Sequence, residues 1–234
     1  VLTGAGMSAE SGVPTFREAQ TGLWAQFNPQ ELATEAAFRA HPQRVWDWYA
    51  HRRNMIAAVE PNAGHAALAR FAHANPGRLT LITQNVDGLH QRAGHAHTWA
   101  LHGHIAQDQW LDTPRACCDV DALESGRPPR CPTCGNLRRP AVVWFGEHLP
   151  VQALEAAEAA ARACDLMLVV GTSGEVYPAA GLAFTAHQSG ARVVIINPEP
   201  TPLDVVAELR GSFSAEHGVG LSKRASMARR WTAW

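Results

Sequence analysis

The chain has 234 residues, enough for one sizeable core or for a domain carrying a smaller insert. Its 20 basic and 21 acidic residues nearly cancel, and Lys223 is the only lysine, which argues against nucleic-acid or membrane-surface partners. No apolar run approaches the roughly 20 residues of a membrane span, and five cysteines including "CC" and "CPTC" suit a metal site in a cytoplasmic protein better than a disulfide framework. The chain opens inside an apparent strand at Val1, which reads as missing upstream sequence; no signal peptide is visible.

In chain order, "VLTG" (1–4) predicts a buried strand that runs into Gly4-Ala5-Gly6-Met7-Ser8-Ala9, a match to the G-x-G-x-x-G/A dinucleotide fingerprint. The continuation "ESGVPTFR" places Gly12 and Pro14 where a crossover helix should run, and no second strand with an acidic residue follows at about 20 residues, so the turn is expected to lead into a loop rather than a dehydrogenase crossover. Residues 18–60 read as helical and aromatic-rich, with Trp24, Phe27, Phe38, Trp46, Trp48 and Tyr49. "NAGHAALARFAHA" (62–74) reads as a helix and "LTLIT" (79–83) as a buried strand. Residues 104–140, rich in Cys, Pro, Arg and Asp, show no clear period. Helix 151–163, strand 165–172, helix 179–190 and strand 191–197 complete an alternation that argues for an α/β fold, a parallel sheet covered on both faces with its ligand at the carboxyl ends of the strands. The two interruptions are expected to form a smaller domain over the sheet edge. From about Phe213 the tail turns polar and basic, of uncertain order.

Six stretches carry a resemblance. "GAGMSAESGVPTFR" (4–17), "TQNVDGLH" (83–90), "LHGH" (101–104), "VVWFGE" (142–147), "GTSGEVYPAA" (171–180) and "INPEPTPLD" (196–204) stand in the order found in sirtuins, the NAD-dependent protein lysine deacylases, and the chain resembles that family over nearly all of residues 1–210. The resemblance implies a Rossmann-like domain (1–17, 61–103 and 141–212) with a helical and cofactor-loop insert (18–60), a zinc-type insert (104–140) and a tail (213–234). It also implies a reaction in which the acyl-lysine carbonyl oxygen attacks C1′ of the nicotinamide ribose, nicotinamide leaves, and a histidine deprotonates a ribose hydroxyl. By its place in "LHG" that base is His102, whose imidazole is largely neutral at cellular pH and able to take the proton. Its neighbours His90, His95, His97 and His104 read as structural or solvated.

The resemblance further places NAD against Gly4, Ala5, Gly6, Ser8, Glu10, Phe16, Arg17, Gln84, Asn85, Asp87, Gly171, Thr172, Ser173, Asn197 and Glu199, with Arg17 in a loop that closes over it. An Asx turn after the strand is the plainer reading of "QNVDG". Val143, Phe145 and Gly146 lie in the stretch that pairs with the backbone of a substrate peptide. "VWDWYAHRRN" (45–54) puts Tyr49 and Arg52 three apart on one helix face, the Tyr-x-x-Arg pair of sirtuins that prefer succinyl- or malonyl-lysine; a buried acyl carboxylate needs such a partner. Arg53 reads as surface.

The metal module departs from the family's two Cys-x-x-Cys pairs. Cys131 and Cys134 form the second pair, but Trp110 and Thr113 stand where the first is expected. Cys118 or Cys117 could supply a third ligand and Asp119 or Asp121 an oxygen, or the loop could hold no zinc; Cys164 reads as core. The expected protein is thus a monomeric cytoplasmic enzyme that removes succinyl, malonyl and acetyl groups from protein lysines with NAD. The alternatives are a plain deacetylase, an ADP-ribosyltransferase of the same fold, and a non-catalytic NAD or ADP-ribose sensor.

Overall fold

The computed structural model describes residues 1–15, 32–119, 123–207 and 209–211. Phe16, Arg17, Asp121 and the tail beyond 211 lie outside the described residues, as do residues 18–31 of the expected helical insert, with Trp24 and Phe27. Six short strands form one all-parallel sheet: β1 (Leu2–Thr3), β2 (Leu81–Thr83), β3 (Thr98–Ala100), β6 (Leu166–Val170), β7 (Arg192–Ile196) and β8 (Leu209–Gly211), in the order β3-β2-β1-β6-β7-β8. The order reverses at β1: strand numbers fall toward it from β3 and β2 on one side and rise away from it through β6 to β8 on the other. In parallel sheets that switch point is where a crevice opens beyond the strand ends.

The remaining two strands, β4 (Gly103–Trp110) and β5 (Arg138–Val142), pair antiparallel with a register shift between His104 and Asp108. They fall in the stretch that shows no sequence period, because the shift breaks the alternation of inward and outward residues. Six α-helices are described, α1 (Glu35–Ala40), α2 (Pro42–Ala57), α3 (Ala63–Ala74), α4 (Leu89–Arg92), α5 (Val151–Ala163) and α6 (Gly181–Gln188), beside 3-10 helices at Ala5–Ser11 and Pro202–Val206. Their starts are legible locally. Thr34 caps α1 through its side chain, Pro42 opens α2, and Asn62 and His65 form a reciprocal capping box on α3.

Two cores result. In one, Leu2, Ile82, Met167, Val169, Val193 and Ile195 of the sheet pack against Ala153, Ala157 and Ala161 of α5 and Leu182, Ala183 and Ala186 of α6. Alanines at these helix positions let the helices lie close on the sheet. In the other, Phe38, Val45, Trp48, Tyr49 and Ile56 of α1 and α2 pack against Ile105, Val142 and Trp144. Leu101 belongs to the first core and Ile105 to the second, so the three residues between them cross the seam.

Two sequence expectations change. The Gly4–Ala9 turn is itself wound into a seven-residue 3-10 helix, Ala5–Ser11, and the expected loop begins only where Gly12, in the left-handed region, stops it. And Arg53, expected at the surface, is a cross-link: its guanidinium donates to the carbonyls of Ile105 and Gln107, pairs with Asp108 and lies 5.3 Å from the Trp46 ring centroid. It ties α2 to β4, where the register shift leaves carbonyls free to accept.

The ends of β1 and β6 are joined through backbone alone. Gly4 N–H donates to Val170 O and Gly6 N–H to Gly171 O. A Cβ on Gly4 would meet Gly171 O at 2.7 Å; Gly171 has φ +61°, and a Cβ there would overlap the Met7 backbone nitrogen. Gly171→Ala is therefore expected to cost at least roughly 1–3 kcal/mol from the left-handed backbone alone. Thermal denaturation should show a melting temperature several degrees lower, and an unchanged melting temperature would mean the two turns do not depend on this contact.

Candidate active site

Behind the two glycine turns lies a closed polar network. Ser8, only 1 % exposed, donates to Asp87 Oδ2 (2.7 Å) and accepts from Asn85 Nδ2 (3.1 Å), while Asn85 spends its other amide hydrogen on Gly4 O (2.9 Å). Asp87 Oδ1 accepts from Leu89 N–H (2.9 Å), so the Asx turn that "QNVDG" allows is formed, and it starts α4. His65 accepts from Asn62 N–H at Nδ1, which leaves the hydrogen on Nε2, facing Ser8 Oγ at 3.5 Å. Below it His90 meets Thr3 (3.0 Å), and burial drives its pKa down to about 3, so it stays neutral. Ser8, Asn85 and Asp87 are thus held by one another, and Gln84 reaches across to Thr172 Oγ1 (3.0 Å), linking the ends of β2 and β6. Ala5, Gly171 and Ser173 are half-buried along this rim, and Gly6 and Glu10 are exposed. Further along, beyond β7, Asn197 folds onto its own turn by donating to Glu199 O, with the Glu199 side chain exposed.

His102 sits on the seam between the two cores. Its Nδ1 is 2.9 Å from Gln84 O. A carbonyl only accepts, so Nδ1 carries the hydrogen and Nε2 keeps its lone pair. Burial lowers the His102 pKa, against the smaller opposing effect of that carbonyl. The ring is thus a neutral acceptor at pH 7. His102 O in turn accepts from Val143 N–H (2.9 Å), which fixes the "VVWFGE" stretch beside it; Phe145 N–H bonds Ala33 O, and Phe145 and Gly146 are exposed.

On the other side of that stretch, Tyr49 (3 % exposed) and half-buried Arg52 sit one turn apart on α2. Burial pushes the Tyr49 phenol up to about 12, against the pull of Arg52 and of the Trp144 hydrogen bond. Burial also pulls the Arg52 guanidinium below its ordinary value, with Tyr49 and Asp87 opposing, and its Cζ lies 5.0 Å from the Trp48 ring centroid. The sequence did not single out Trp144, Arg139 or Glu147, although two of them lie in "VVWFGE". Trp144 Nε1–H donates to Tyr49 Oη (3.0 Å), Arg139 stacks over the Trp144 ring at 3.4 Å and grips Glu147 with both terminal nitrogens, and Glu147 accepts from Trp144 N–H (2.8 Å).

The four thiols of Cys117, Cys118, Cys131 and Cys134 come together with their sulfurs within 4.8 Å of one another, Cys118 and Cys134 being 3.6 Å apart. Four sulfurs at about 2.3 Å from a zinc ion lie roughly 3.8 Å from each other, so the donor set fits that ion. Backbone N–H groups, that of Cys134 foremost, draw the Cys131 thiol down, while burial and the neighbouring thiols push Cys134 up, so Cys131 is the first of the pair to become the thiolate a metal requires. The expected trio of Cys118, Cys131 and Cys134 is therefore completed by Cys117, a fourth sulfur, and Asp119 is no member of the cluster. Trp110, at the first pair's usual place, instead stacks with Arg138 across the β4–β5 ladder (5.0 Å).

A parallel Rossmann-like sheet with two interlocked glycine turns, a neutral histidine at its rim and a four-cysteine module define a nucleotide-binding α/β protein with a zinc-type insert. The profile of the Sir2 family matches residues 4–178, and the chain belongs to that family. It is 60 % identical over 211 residues to an "NAD-dependent protein deacylase" of Ralstonia nicotianae, covering 89 % of this chain and 84 % of that one. It is 47 % identical to a protein of the same name from Aquifex aeolicus, covering 95 % and 91 %. Among solved structures, a Sir2 homologue in complex with NAD superposes with TM-score 0.79 at 38 % identity over 99 % of this chain and 88 % of the other. A Sir2 protein bound to an acetylated peptide superposes with TM-score 0.77 at 32 % identity over 97 % and 91 %. A profile of the C-terminal domain of FAD linked oxidases also matches, over residues 183–233; its described part, α6, β7 and the turn that follows, is built into the parallel sheet.

The metal module yields a direct test. Purified protein should carry close to one zinc per chain by elemental analysis, and Cys117→Ser should release it as Cys131→Ser does. Active protein that contains no zinc, or a Cys117→Ser variant that keeps it in full, would retire the four-sulfur site.

Proposed function

We infer that this NAD-dependent protein deacylase acts best on lysines carrying acidic acyl groups, succinyl and malonyl, and also removes acetyl groups, giving nicotinamide and O-acyl-ADP-ribose. The observation that carries the reading is the pairing of a phenol held protonated by burial with a half-buried guanidinium, Tyr49 and Arg52, one helical turn apart. A neutral acetyl group has no use for a desolvated cation, whereas an acyl carboxylate offers two oxygens to it. The names of the relatives and the neighbouring complexes with NAD and with acetylated peptide support the reaction class. The dinucleotide would lie over the rim formed by Gly4, Ala5, Gly6, Gly171, Thr172 and Ser173, with Gln84, Asn85 and Asp87 around its nicotinamide end and Asn197 and Glu199 toward the adenosine ribose. The peptide would add as a strand along Val143, Phe145 and Gly146.

In this reading His102 is the base. Gln84 O fixes the hydrogen on Nδ1, so Nε2 takes the proton of a ribose hydroxyl and needs no tautomer change. A base works only when unprotonated, and the His102 pKa is held below its ordinary 6.5. The acid limb of kcat/KM should therefore fall below pH 6.5, and activity should be lost only as pH drops through that lower value. His102→Ala should lose about 10²–10⁴-fold in deacylation. An acid limb above 6.5, or a His102→Ala enzyme with near-normal turnover, would remove His102 from this role.

Arg52→Met tests the acyl choice. It removes the bidentate partner but keeps an apolar stem of similar length, so the ratio of desuccinylation to deacetylation on one peptide should fall about 10-fold or more. Equal loss of both activities would make Arg52 a structural residue and the enzyme a general deacetylase.

A further inference from the structure

We propose that Trp144 is a specificity-positioning residue: its indole N–H sets the polarity of the Tyr49 hydroxyl so that the acyl pocket presents a hydrogen-bond donor. The proposal rests on the reading that Tyr49 and Arg52 face the acyl group. A phenol has one hydrogen and an oxygen that can accept. Indole Nε1–H donates only, and it occupies the acceptor side of Tyr49 Oη at 3.0 Å. Tyr49 is 3 % exposed, and among the described residues no acceptor takes its hydrogen. A buried donor without an acceptor is costly, and it marks where an incoming acceptor is satisfied. With the phenol pushed up to about 12, that hydrogen stays in place at any working pH.

Three contacts hold the indole in the orientation that makes this possible. Phe38 packs on it with ring centroids 5.3 Å apart, Arg139 stacks at 3.4 Å on its ring, and its backbone N–H is held by Glu147 Oε2 at 2.8 Å. Arg139 is itself 3 % exposed and paired with Glu147, so the stack cannot swing away without breaking a buried ion pair. The N–H donation also polarises the O–H it reaches, since hydrogen bonds in a chain strengthen one another. An ionised acyl carboxylate is acceptor-only and takes the hydrogen that Tyr49 offers; an acetyl methyl group takes nothing. Without the indole donor the phenol could rotate, and its oxygen could present lone pairs to the carboxylate instead.

The test compares kcat and KM for succinyl- and acetyl-lysine on one peptide sequence, in wild type, Trp144→Phe, Tyr49→Phe and the double variant. Trp144→Phe keeps an aromatic ring for Arg139 and Phe38 but removes the N–H. The succinyl-to-acetyl ratio of kcat/KM should fall about 2–10-fold, the worth of one hydrogen bond. The loss should appear in the KM for the succinyl peptide rather than in kcat. Adding Trp144→Phe to Tyr49→Phe should change the ratio no further, because the indole acts only through the hydroxyl. If Trp144→Phe lowers the melting temperature, replacing Trp144 by benzothienylalanine, which keeps the bicyclic shape and exchanges N–H for sulfur, should give the same shift. The proposal is overturned if Tyr49→Phe lowers the ratio while both Trp144 replacements leave it unchanged, or if the two single effects add. A ratio unmoved by Tyr49→Phe and by Arg52→Met instead overturns the acyl-pocket reading, and this proposal with it.

Discussion

The site depends on a contact made entirely of backbone. Gly4 and Gly6 on one turn and Gly171 on the other approach so closely that no side chain fits between them, and the first turn donates two N–H···O bonds to Val170 and Gly171 in place of side-chain packing. Glycines in such fingerprints are usually explained by the approach of a pyrophosphate. Here they also let the ends of β1 and β6 touch each other, which fixes the rim before any ligand arrives. Everything polar behind the rim takes its position from that contact. Asn85 donates to Gly4 O, Ser8 follows two residues after Gly6, and Asp87 and His65 are arranged around Ser8.

Much of this was legible in the sequence, and the failures are physical rather than random. Strands 1–4, 79–83, 165–172 and 191–197 and helices 62–74, 151–163 and 179–190 were all readable, because a parallel strand covered on both faces is apolar throughout and an Ala-rich helix shows its period plainly. The strands over 103–110 and 138–142 were not. Their ladder slips between His104 and Asp108, so inward and outward residues exchange places midway and no period-2 pattern survives. Arg53 was misread for a related reason. Neighbouring arginines on a helix look like a solvated face, and the carbonyls at that same slip, with Asp108 beside them, give Arg53 something to bind. The fourth sulfur, Cys117, was visible as half of a "CC" doublet, but adjacency in sequence does not say that both thiols turn inward. Trp144 was hidden in a stretch read for its backbone role, since a side-chain hydrogen bond between residues 95 apart leaves no local trace.

The two cores divide the chemistry. The sheet core supports the dinucleotide rim, and the aromatic core of α1 and α2 supports the proposed acyl pocket. His102 belongs wholly to neither. Leu101 anchors it on one side and Ile105 on the other, Gln84 O at the end of β2 fixes its tautomer, and its own carbonyl holds Val143. In its proposed role as the base, a histidine at this junction is placed by both modules, so a ribose hydroxyl from one side and an acyl-lysine from the other can meet it without either module moving far. The four-cysteine cluster sits at the far end of the β4–β5 hairpin whose near end carries Gly103 and Val142, so a metal there would stiffen the strand that follows His102 and take no part in proton transfer.

The proposed acyl pocket also has an electrostatic logic of its own. Arg52 is pulled below its ordinary pKa by burial, which means that the free enzyme already carries part of the cost of desolvating a cation. An acidic acyl group relieves that cost as it enters, because one carboxylate satisfies the guanidinium and the phenol hydrogen together. A neutral acyl group relieves nothing. Discrimination of this kind does not come from tighter packing around the preferred substrate. It comes from leaving the buried Tyr49 hydrogen unmatched until the right acceptor arrives, the same asymmetry that makes a lost partner costlier than a hydrogen bond is stabilising. The neighbouring Arg139 shows the contrast: it is more deeply buried than Arg52, and Glu147 and the carbonyls of Pro140 and Val142 satisfy it within the protein. Two arginines in one aromatic core thus differ in setting: Arg139 is closed off with Glu147, and half-buried Arg52 stands beside the Tyr49 hydroxyl at the proposed pocket, where a substrate can read it.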